Sequence, residues 1–238
     1  MSLDASITEL MKRLADWASF PKYQLERRVD IFLTPFLASW IGQRLGGEAT
    51  LVAPEFPILA SYRHGPSAPD GQKPTALTVN ADYLVHLQRR NGERSWVLVE
   101  LKTDAQSYSE PQFAVYWNAM AHPMSKLRAD LGLVRERTAS RHKPKYDLLE
   151  RALKHDARPA ERTELAYLAP RASPVSAPEC VRRADPSDPR RDRVHFLSLE
   201  ALASGPDDWV PDAHRALWPH VRDLLQRITV SAKDVDAG

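Results

Sequence analysis

The sequence predicts a single α/β (α+β) domain, with a mixed central sheet of about five strands flanked by helices. Three observations predict this class. Apolar residues make up 43% of the 238-residue chain, which is enough to bury a substantial core. Helical and strand-like periodicities alternate along the chain, and neither an internal repeat nor a long linker divides it. We therefore expect one domain over residues 1–230, with a helical extension over residues 1–20 and a flexible tail over residues 231–238.

The composition excludes several classes of protein. The chain has 33 basic and 31 acidic residues, so its net charge of +2 does not by itself indicate a nucleic-acid partner. The single cysteine, Cys180, excludes an intramolecular disulfide and a thiolate metal cluster, and is typical of a reducing compartment. The apolar stretch over residues 31–41 is too short to span a bilayer. We expect a cytoplasmic protein that has no membrane partner.

Two helices are expected before the sheet begins. The first follows the capping box Ser6-x-x-Glu9, after which apolar residues recur at helical spacing. The second spans residues 23–47; two glycines end it, and Pro35 is expected to kink or split it. Residues 49–62 then have strand character but contain two prolines, which predicts an edge strand or a bulged one.

The remaining elements follow from the same periodicities. Strands are expected over residues 75–90, 95–103, 163–170 and 194–202, and helices over residues 109–122, 126–139, 146–155 and 212–228. The stretch over residues 171–193 is rich in Pro, Ser and Arg, which predicts a loop. Pro219 is expected to interrupt the closing helix.

The strand over residues 95–103 combines a core-like pattern with two charges. Side chains alternate along a strand, so Glu100 and Lys102 point to the same face. Both faces are apolar up to Glu100, which indicates a central strand that is covered on both sides. A carboxylate near buried surface is costly unless it is paired or bound to a metal. A structural ion pair with Lys102 and a functional site both satisfy this requirement.

The hairpin before this strand decides whether a second acid, Asp82, joins Glu100. With a two-residue turn, Asp82 would lie opposite Leu101 and point to the wrong face. With a three-residue loop, Gly92 takes the left-handed position and Asp82 lies opposite Glu100. We predict the three-residue loop over residues 90–92, or a bulge of equal effect. Two facing carboxylates would repel one another, and a divalent cation that prefers oxygen ligands, Mg²⁺ or Mn²⁺, would remove that penalty.

An aspartate on one strand, Glu-x-Lys on the next and a helix after the pair form a pattern that resembles the PD-(D/E)XK nuclease superfamily. The resemblance implies a restriction-endonuclease-like fold with the order α-β-β-β-α-β, over about residues 22–200. It implies that Lys102 positions or activates the attacking water. It also implies the ligands of a bound Mg²⁺ or Mn²⁺, which are Asp82, Glu100 and the Leu101 carbonyl. Ala81 is a departure, because the name-giving motif has proline there.

The helix after the strand carries a second feature that fits the resemblance. Gln112 and Tyr116 lie four positions apart and therefore share one face of that helix. Their Q-x-x-x-Y spacing resembles that of nuclease modules attached to bacterial recombination helicases, where it implies a role in steadying the substrate or the lysine. The alternatives are a capping box from Ser109 to Gln112 and an ordinary core role for Tyr116.

The superfamily also implies a glutamate in its first core helix, and Glu26 is the candidate. At 100° per residue, Glu26 lies about 40° from the centre of the apolar stripe, against about 80° for Asp30. Glu26 would hold a metal-bound water. A salt-bridged surface glutamate is the alternative, and Glu55 is a weaker candidate acid.

The function expected from this resemblance is that of a divalent-metal-dependent nuclease that hydrolyses phosphodiester bonds. The expected partner is a nucleic acid, DNA before RNA, and a homodimer is left open. Arginines over residues 181–193 are candidates for phosphate contacts, with a solvated loop as the alternative. His86 lies near the candidate metal site, although a lone histidine on a strand is more often structural. The competing hypotheses are a nuclease fold that binds nucleic acid or protein without cutting, and a structural protein whose ion pairs imitate the motif.

Overall fold

The computed structural model of this chain describes residues 26–64, 78–103, 108–155, 160–170 and 178–235, together with Ile7 and Met11. The helices and strands in those ranges are, in order, α1 (Glu26–Leu45), β1 (Gly47–Leu59), β2 (Thr78–Arg89), β3 (Arg94–Leu101), α2 (Glu110–Ala119), α3 (Met124–Arg137), α4 (Lys143–His155), β4 (Thr163–Ala169), α5 (Glu179–Arg183), β5 (Val194–Ser198), α6 (Leu199–Ser204) and α7 (Trp218–Val235). None of these helices is both long enough and apolar enough to cross a membrane.

The strands form one mixed five-stranded sheet in the order β1-β2-β3-β4-β5, which confirms the predicted fold class. The β1-β2 and β2-β3 pairs are antiparallel, whereas the β3-β4 and β4-β5 pairs are parallel. Strand β1 lies at one edge and has a register shift between Leu51 and Ala53. Its prolines are tolerated because an edge strand has only one hydrogen-bonded neighbour. The prediction of an edge or bulged strand is therefore confirmed in both respects.

Helices cover both faces of the sheet. On one face α1, α6 and α7 enclose a core that includes Val85 and Val97. On the other face α2 and α3 cover Leu84 and Trp96. Every residue of β3 from Ser95 to Leu101 is buried, which confirms the expectation of a central strand. Any charge at the end of this strand is consequently placed next to a low-dielectric interior.

Helix α1 runs unbroken through Pro35, so the proline does not split it. The helix ends before Gly46, which adopts a left-handed φ of 75° that few residues other than glycine take without strain. Gly42 also has a close neighbour, because a Cβ there would lie 2.8 Å from the Gly47 carbonyl oxygen. These glycines let the chain turn from α1 directly into β1.

The C-terminal elements differ from the predictions in their bounds. The strand predicted over residues 194–202 ends at Ser198, whose Oγ accepts a hydrogen bond from the Ala201 N–H at 3.1 Å and caps α6. The closing helix begins at Trp218, after a short 3₁₀ turn, and Pro219 lies in its first turn, where a missing N–H costs nothing. The predicted tail is also wrong in part, since α7 continues to Val235. Residues 236–238 lie outside the described part of the chain.

Two other predicted segments are described only in part. The loop predicted over residues 171–193 contains the short helix α5, and residues 171–177 lie outside the described part. Of the helix predicted over residues 1–20, the structure describes Ile7 and Met11, and both are helical. Met11 is buried and belongs to the same core cluster as residues of α1 and the sheet.

Candidate active site

The β2-β3 hairpin has the register that brings the two acids together. Six antiparallel pairs run from Tyr83–Val99 to Gln88–Arg94, which is the register predicted for a three-residue loop. The Arg89 N–H donates to the Glu93 carbonyl at 2.8 Å, and Gly92 has a φ of 87°. The prediction is therefore confirmed. The ladder ends at Tyr83–Val99, and one further step in this register would pair Asp82 with Glu100.

Asp82 lies where the hydrogen-bonded ladder between β2 and β3 ends. Its Oδ2 accepts a hydrogen bond from the Leu101 N–H at 2.7 Å. The Asp82 side chain thus supplies the acceptor that a main-chain carbonyl of β2 would otherwise provide. The pKa of Asp82 is raised to about 7. Burial is the largest cause, and the raising effect of the Glu100 charge is larger than the lowering effect of Lys102. The charge of Glu100 therefore acts on the Asp82 carboxyl, in agreement with the predicted register.

Glu100 is the centre of the site and is only 1% exposed. Lys102 Nζ lies 2.6 Å from Glu100 Oε1, and Gln112 Nε2 donates to the same oxygen at 2.6 Å. The Tyr116 hydroxyl lies 2.6 Å from Glu100 Oε2 and donates to it. Both carboxylate oxygens thus have partners. The ion pair that was one explanation of the motif is present, and it is part of a larger cluster.

Helix α2 places Gln112 and Tyr116 beside Glu100, and its position is set by the cap at its N-terminus. Ser109 caps the helix by accepting from the Gln112 N–H at 3.4 Å. The Gln112 side chain does not return to Ser109; it donates to Glu100 and, at 2.8 Å, to the Tyr116 hydroxyl. Tyr116 is fully buried, and burial together with the charge of Glu100 raises its pKa. Its hydroxyl also lies 2.9 Å from the Asn80 carbonyl, so one proton serves two acceptors.

The acids proposed on other elements have different outcomes. The side chain of Glu26 lies outside the described part of the chain. Asp30, one turn further along α1, is half-buried, and its charge contributes to raising the pKa of Asp82. The helical wheel ranks Asp30 below Glu26, and that order stays a prediction. Glu55 is exposed and pairs with Lys145 at 2.5 Å.

His86 has a structural position. It is fully buried, and its ring contacts Trp96 edge-on at a centroid distance of 5.2 Å. The arginines of the 181–193 segment are also held by the protein. Arg190 pairs with Asp188 at 2.7 Å, and Arg191 Nη2 donates to the carbonyls of Val181 and Ala184.

Sequence reasoning missed a second polar cluster, around Glu164 on β4. Glu164 is fully buried and accepts two hydrogen bonds from Arg89, at 2.8 and 2.6 Å, and one from His195 at 2.8 Å. Burial alone would raise its pKa, but the hydrogen bonds from His195 and Arg89 hold it at about 2. An acid inside an apolar strand, "TELAYLA", was the available signal. This cluster joins β2, β4 and β5.

The donor set beside Asp82 fits a hard divalent cation. Asp82 and Glu100 offer carboxylate oxygens. Burial first and the charge of Glu100 second raise the pKa of Asp82, and a bound cation would favour its ionised form. The N–H and C=O of one strand residue point to the same side, so the Leu101 carbonyl faces the Asp82 side of β3. Among the described residues, no three His, Cys, Asp or Glu side chains form a metal cluster. A cation here would therefore need the main-chain carbonyl and water as further ligands.

Comparison of the chain with protein-family models, curated proteins and solved structures gave no match. The case for a function consequently depends on the geometry of the site itself.

Proposed function

We propose that this chain is a divalent-metal-dependent nuclease that hydrolyses phosphodiester bonds, with DNA expected as substrate before RNA. One observation supports it above all others: the hairpin register brings Asp82 beside Glu100, whose Oε1 lies 2.6 Å from Lys102 Nζ. Two acids and a lysine at the end of a central strand match the arrangement that such chemistry requires.

Each residue has a role in this proposal, and that of Glu26 is implied by the superfamily resemblance alone. Asp82, Glu100 and the Leu101 carbonyl would hold Mg²⁺ or Mn²⁺, and Glu26 would hold a water of that ion. When bound, the ion supplies polarisation of the scissile phosphate and a bound water of lowered pKa. Lys102 is only 7% exposed, so its charge acts at low dielectric on the nucleophile or on the charge growing at phosphorus.

Gln112 and Tyr116 are positioning residues in this proposal. Each donates to a different oxygen of Glu100, so together they fix the plane of that carboxylate. Their own contact, 2.8 Å from Gln112 Nε2 to the Tyr116 hydroxyl, restricts both side chains further. A fixed carboxylate costs less to organise when a ligand binds.

A second candidate function is a nuclease-like fold that binds nucleic acid or protein without cutting. The observation that favours it is the network at Glu100, whose two oxygens already contact Lys102, Gln112 and Tyr116. Metal titration separates the two functions. The nuclease takes up Mn²⁺ at a site that Glu100→Ala removes, whereas the binding protein has no such site.

Cleavage assays on labelled DNA and RNA with Mn²⁺ test the proposal. Lys102→Ala should lower cleavage by about 10²-fold or more while Mn²⁺ still binds, because both acids remain. Lys154→Ala, an exposed lysine on α4, is the matched control and should cleave like the wild type. Unchanged turnover in Lys102→Ala would remove this lysine from the mechanism, and absence of cleavage by the wild type would leave the binding function.

A further inference from the structure

A cavity of about 970 Å³ lies beside the C-terminal half of α2. It is bounded by the turn after β1, by the residues that end α2 and by the segment between α5 and β5. Asn118 lines it and comes two positions after Tyr116, so its side chain leaves the helix about 200° away from the one that contacts Glu100. The cavity and the proposed catalytic site therefore lie on different sides of α2.

Arg193 places a positive charge in this cavity. Its Nε donates to the Pro189 carbonyl at 3.1 Å, and its Nη1 donates to the Met120 carbonyl at 3.2 Å. Within the described part of the chain, its guanidinium forms no ion pair with a carboxylate. Burial lowers the pKa of Arg193, and repulsion from Arg162 and Arg190 adds to that effect. Such a cation favours an anionic ligand.

The two acids that line the cavity are already engaged. Asp188 accepts from Arg190 Nη2 at 2.7 Å, and Arg190 in turn lies 4.5 Å from the centroid of the Trp117 ring. Asp185 is exposed at the rim and accepts from both the N–H and the hydroxyl of Ser187. Arg193 is therefore the charged group of the cavity that remains to bind a ligand.

An aromatic wall faces the same cavity. The Tyr62 hydroxyl donates to Asp130 Oδ2 at 2.6 Å, and the Tyr62 carbonyl accepts from Asn118 Nδ2 at 2.8 Å. The Tyr62 ring packs against the His122 ring with centroids 4.9 Å apart. Hydrogen bonds at both ends hold Tyr62 in place before any ligand arrives, so this wall is preorganised.

We propose that this cavity binds a nucleotide, with its phosphate at Arg193 and its base against the Tyr62–His122 pair. A planar guanidinium recognises phosphate oxygens through paired hydrogen bonds, and aromatic side chains bind nucleobases of any sequence. The phosphate comes either from a free mononucleotide or from a nucleotide within a strand. Only the second source rests on the proposed nuclease function.

Calorimetric titration in EDTA tests the proposal without involving a metal. The probes are inorganic phosphate, deoxyadenosine monophosphate and a twelve-nucleotide single strand. The wild type should bind the mononucleotide more tightly than inorganic phosphate, and Arg193→Gln should weaken it about tenfold or more. Arg183→Gln changes the net charge equally at a side chain that is 79% exposed and outside the cavity, and should change affinity less than about twofold. If Arg193→Gln also binds the twelve-nucleotide single strand more weakly, the phosphate at Arg193 can come from a nucleic-acid strand.

A second variant covers the case in which Arg193→Gln does not fold. Ala121 is exposed and lines the cavity, so Ala121→Trp fills the space without removing a side-chain hydrogen bond. It should abolish mononucleotide binding. The inference is overturned if the wild type binds neither nucleotide probe at millimolar concentration, or if Ala121→Trp binds as the wild type does. Cleavage in Mn²⁺ is measured separately, so mononucleotide binding without cleavage would defeat the nuclease proposal and leave this one standing.

Discussion

Asp82 is the residue at which burial and charge oppose ionisation most directly. Its pKa is about 7, compared with an ordinary value of 3.8, because burial and the charge of Glu100 outweigh the Leu101 N–H and Lys102. The folded state thus binds the Asp82 proton more tightly than the unfolded state does. Without metal, stability falls as the pH rises through the window between these two values.

Asp82→Asn should therefore stabilise the metal-free protein at pH 8 and have little effect at pH 4. The pKa shift sets a ceiling of about 4 kcal/mol, and solvent around this half-buried side chain reduces the gain to about 1–3 kcal/mol. Asparagine keeps an oxygen that can accept from the Leu101 N–H. Urea unfolding in EDTA at the two pH values measures the gain, and a gain of equal size at both would assign it to something other than ionisation.

The same proton predicts how cleavage by the proposed nuclease responds to pH. A proton and a cation compete for Asp82, so cleavage should fall below about pH 7 when Mn²⁺ is scarce. Tenfold more Mn²⁺ should move that fall to lower pH by up to about one unit. Cleavage rates measured against pH at two Mn²⁺ concentrations give this shift. If the fall occurs at the same pH in both, the titrating group is one that binds no metal.

The sequence predicted the relation of Asp82 to Glu100 because alternation and loop length are local rules. The same holds for Gln112 and Tyr116, whose spacing on a helix fixes their common face. The choice between Glu26 and Asp30 stays a prediction, because the rotation of α1 about its axis is set by packing on the sheet rather than by its own periodicity.

At the scale of an element, the hairpin loop depends on the backbone of Gly92. Its φ of 87° is strained for any residue with a Cβ, so Gly92→Ala should destabilise the protein by about 1 kcal/mol. Gly132 is the matched control: it lies inside α3, and a Cβ there would meet nothing within 4 Å. Gly132→Ala should stabilise by roughly 0.5–1 kcal/mol. Thermal unfolding measures both, and changes of the same sign would contradict the conformational explanation.

Element bounds were the least predictable part of the fold. The apolar run over residues 194–202 gives no reason to end a strand, and the end is set by Ser198, whose hydroxyl caps α6. Similarly, Pro219 within an apparent helix indicates an interruption, although a proline in the first turn is equally compatible with a helix start. The end of β5 and the start of α7 each depend on a single hydrogen-bonding group, and the periodicity of apolar residues carries no information about such groups.

At the scale of the whole molecule, the Glu164 cluster holds three strands together. The pKa of Glu164 is about 2, compared with an ordinary value of 4.5. The ionised Glu164 therefore stabilises the folded state fully above pH 4.5, and this stabilisation is lost as the pH falls towards 2. Glu164→Gln should remove this pH dependence and lower stability at pH 6 by on the order of 3 kcal/mol, because Arg89 loses its counter-charge. Urea unfolding at pH 3 and pH 6 measures it.

The control for this prediction is Asp223→Asn, which breaks an ion pair with Arg227 between half-exposed side chains on α7. It should change stability by less than about 1 kcal/mol. If Glu164→Gln lost stability on acidification as the wild type does, the loss would belong to other acids. The local pattern marks Glu164 as an acid inside an apolar strand but does not reveal its partner, because Arg89 and Glu164 are 75 positions apart and meet only when the sheet forms.

In the proposed nuclease, the change from antiparallel to parallel pairing at β3 would set the side of the strand from which a metal ion enters. On the β4 side the main chain stays closed, since the Lys102 N–H donates to the Leu168 carbonyl at 2.7 Å. On the β2 side a side chain, Asp82, takes the place of the departing strand. Asp82 is half-buried and Glu100 almost wholly enclosed, so an incoming ion meets the titrating acid first. At low pH, protonation of Asp82 would therefore hinder entry of the ion before it reaches the deeper carboxylate of Glu100.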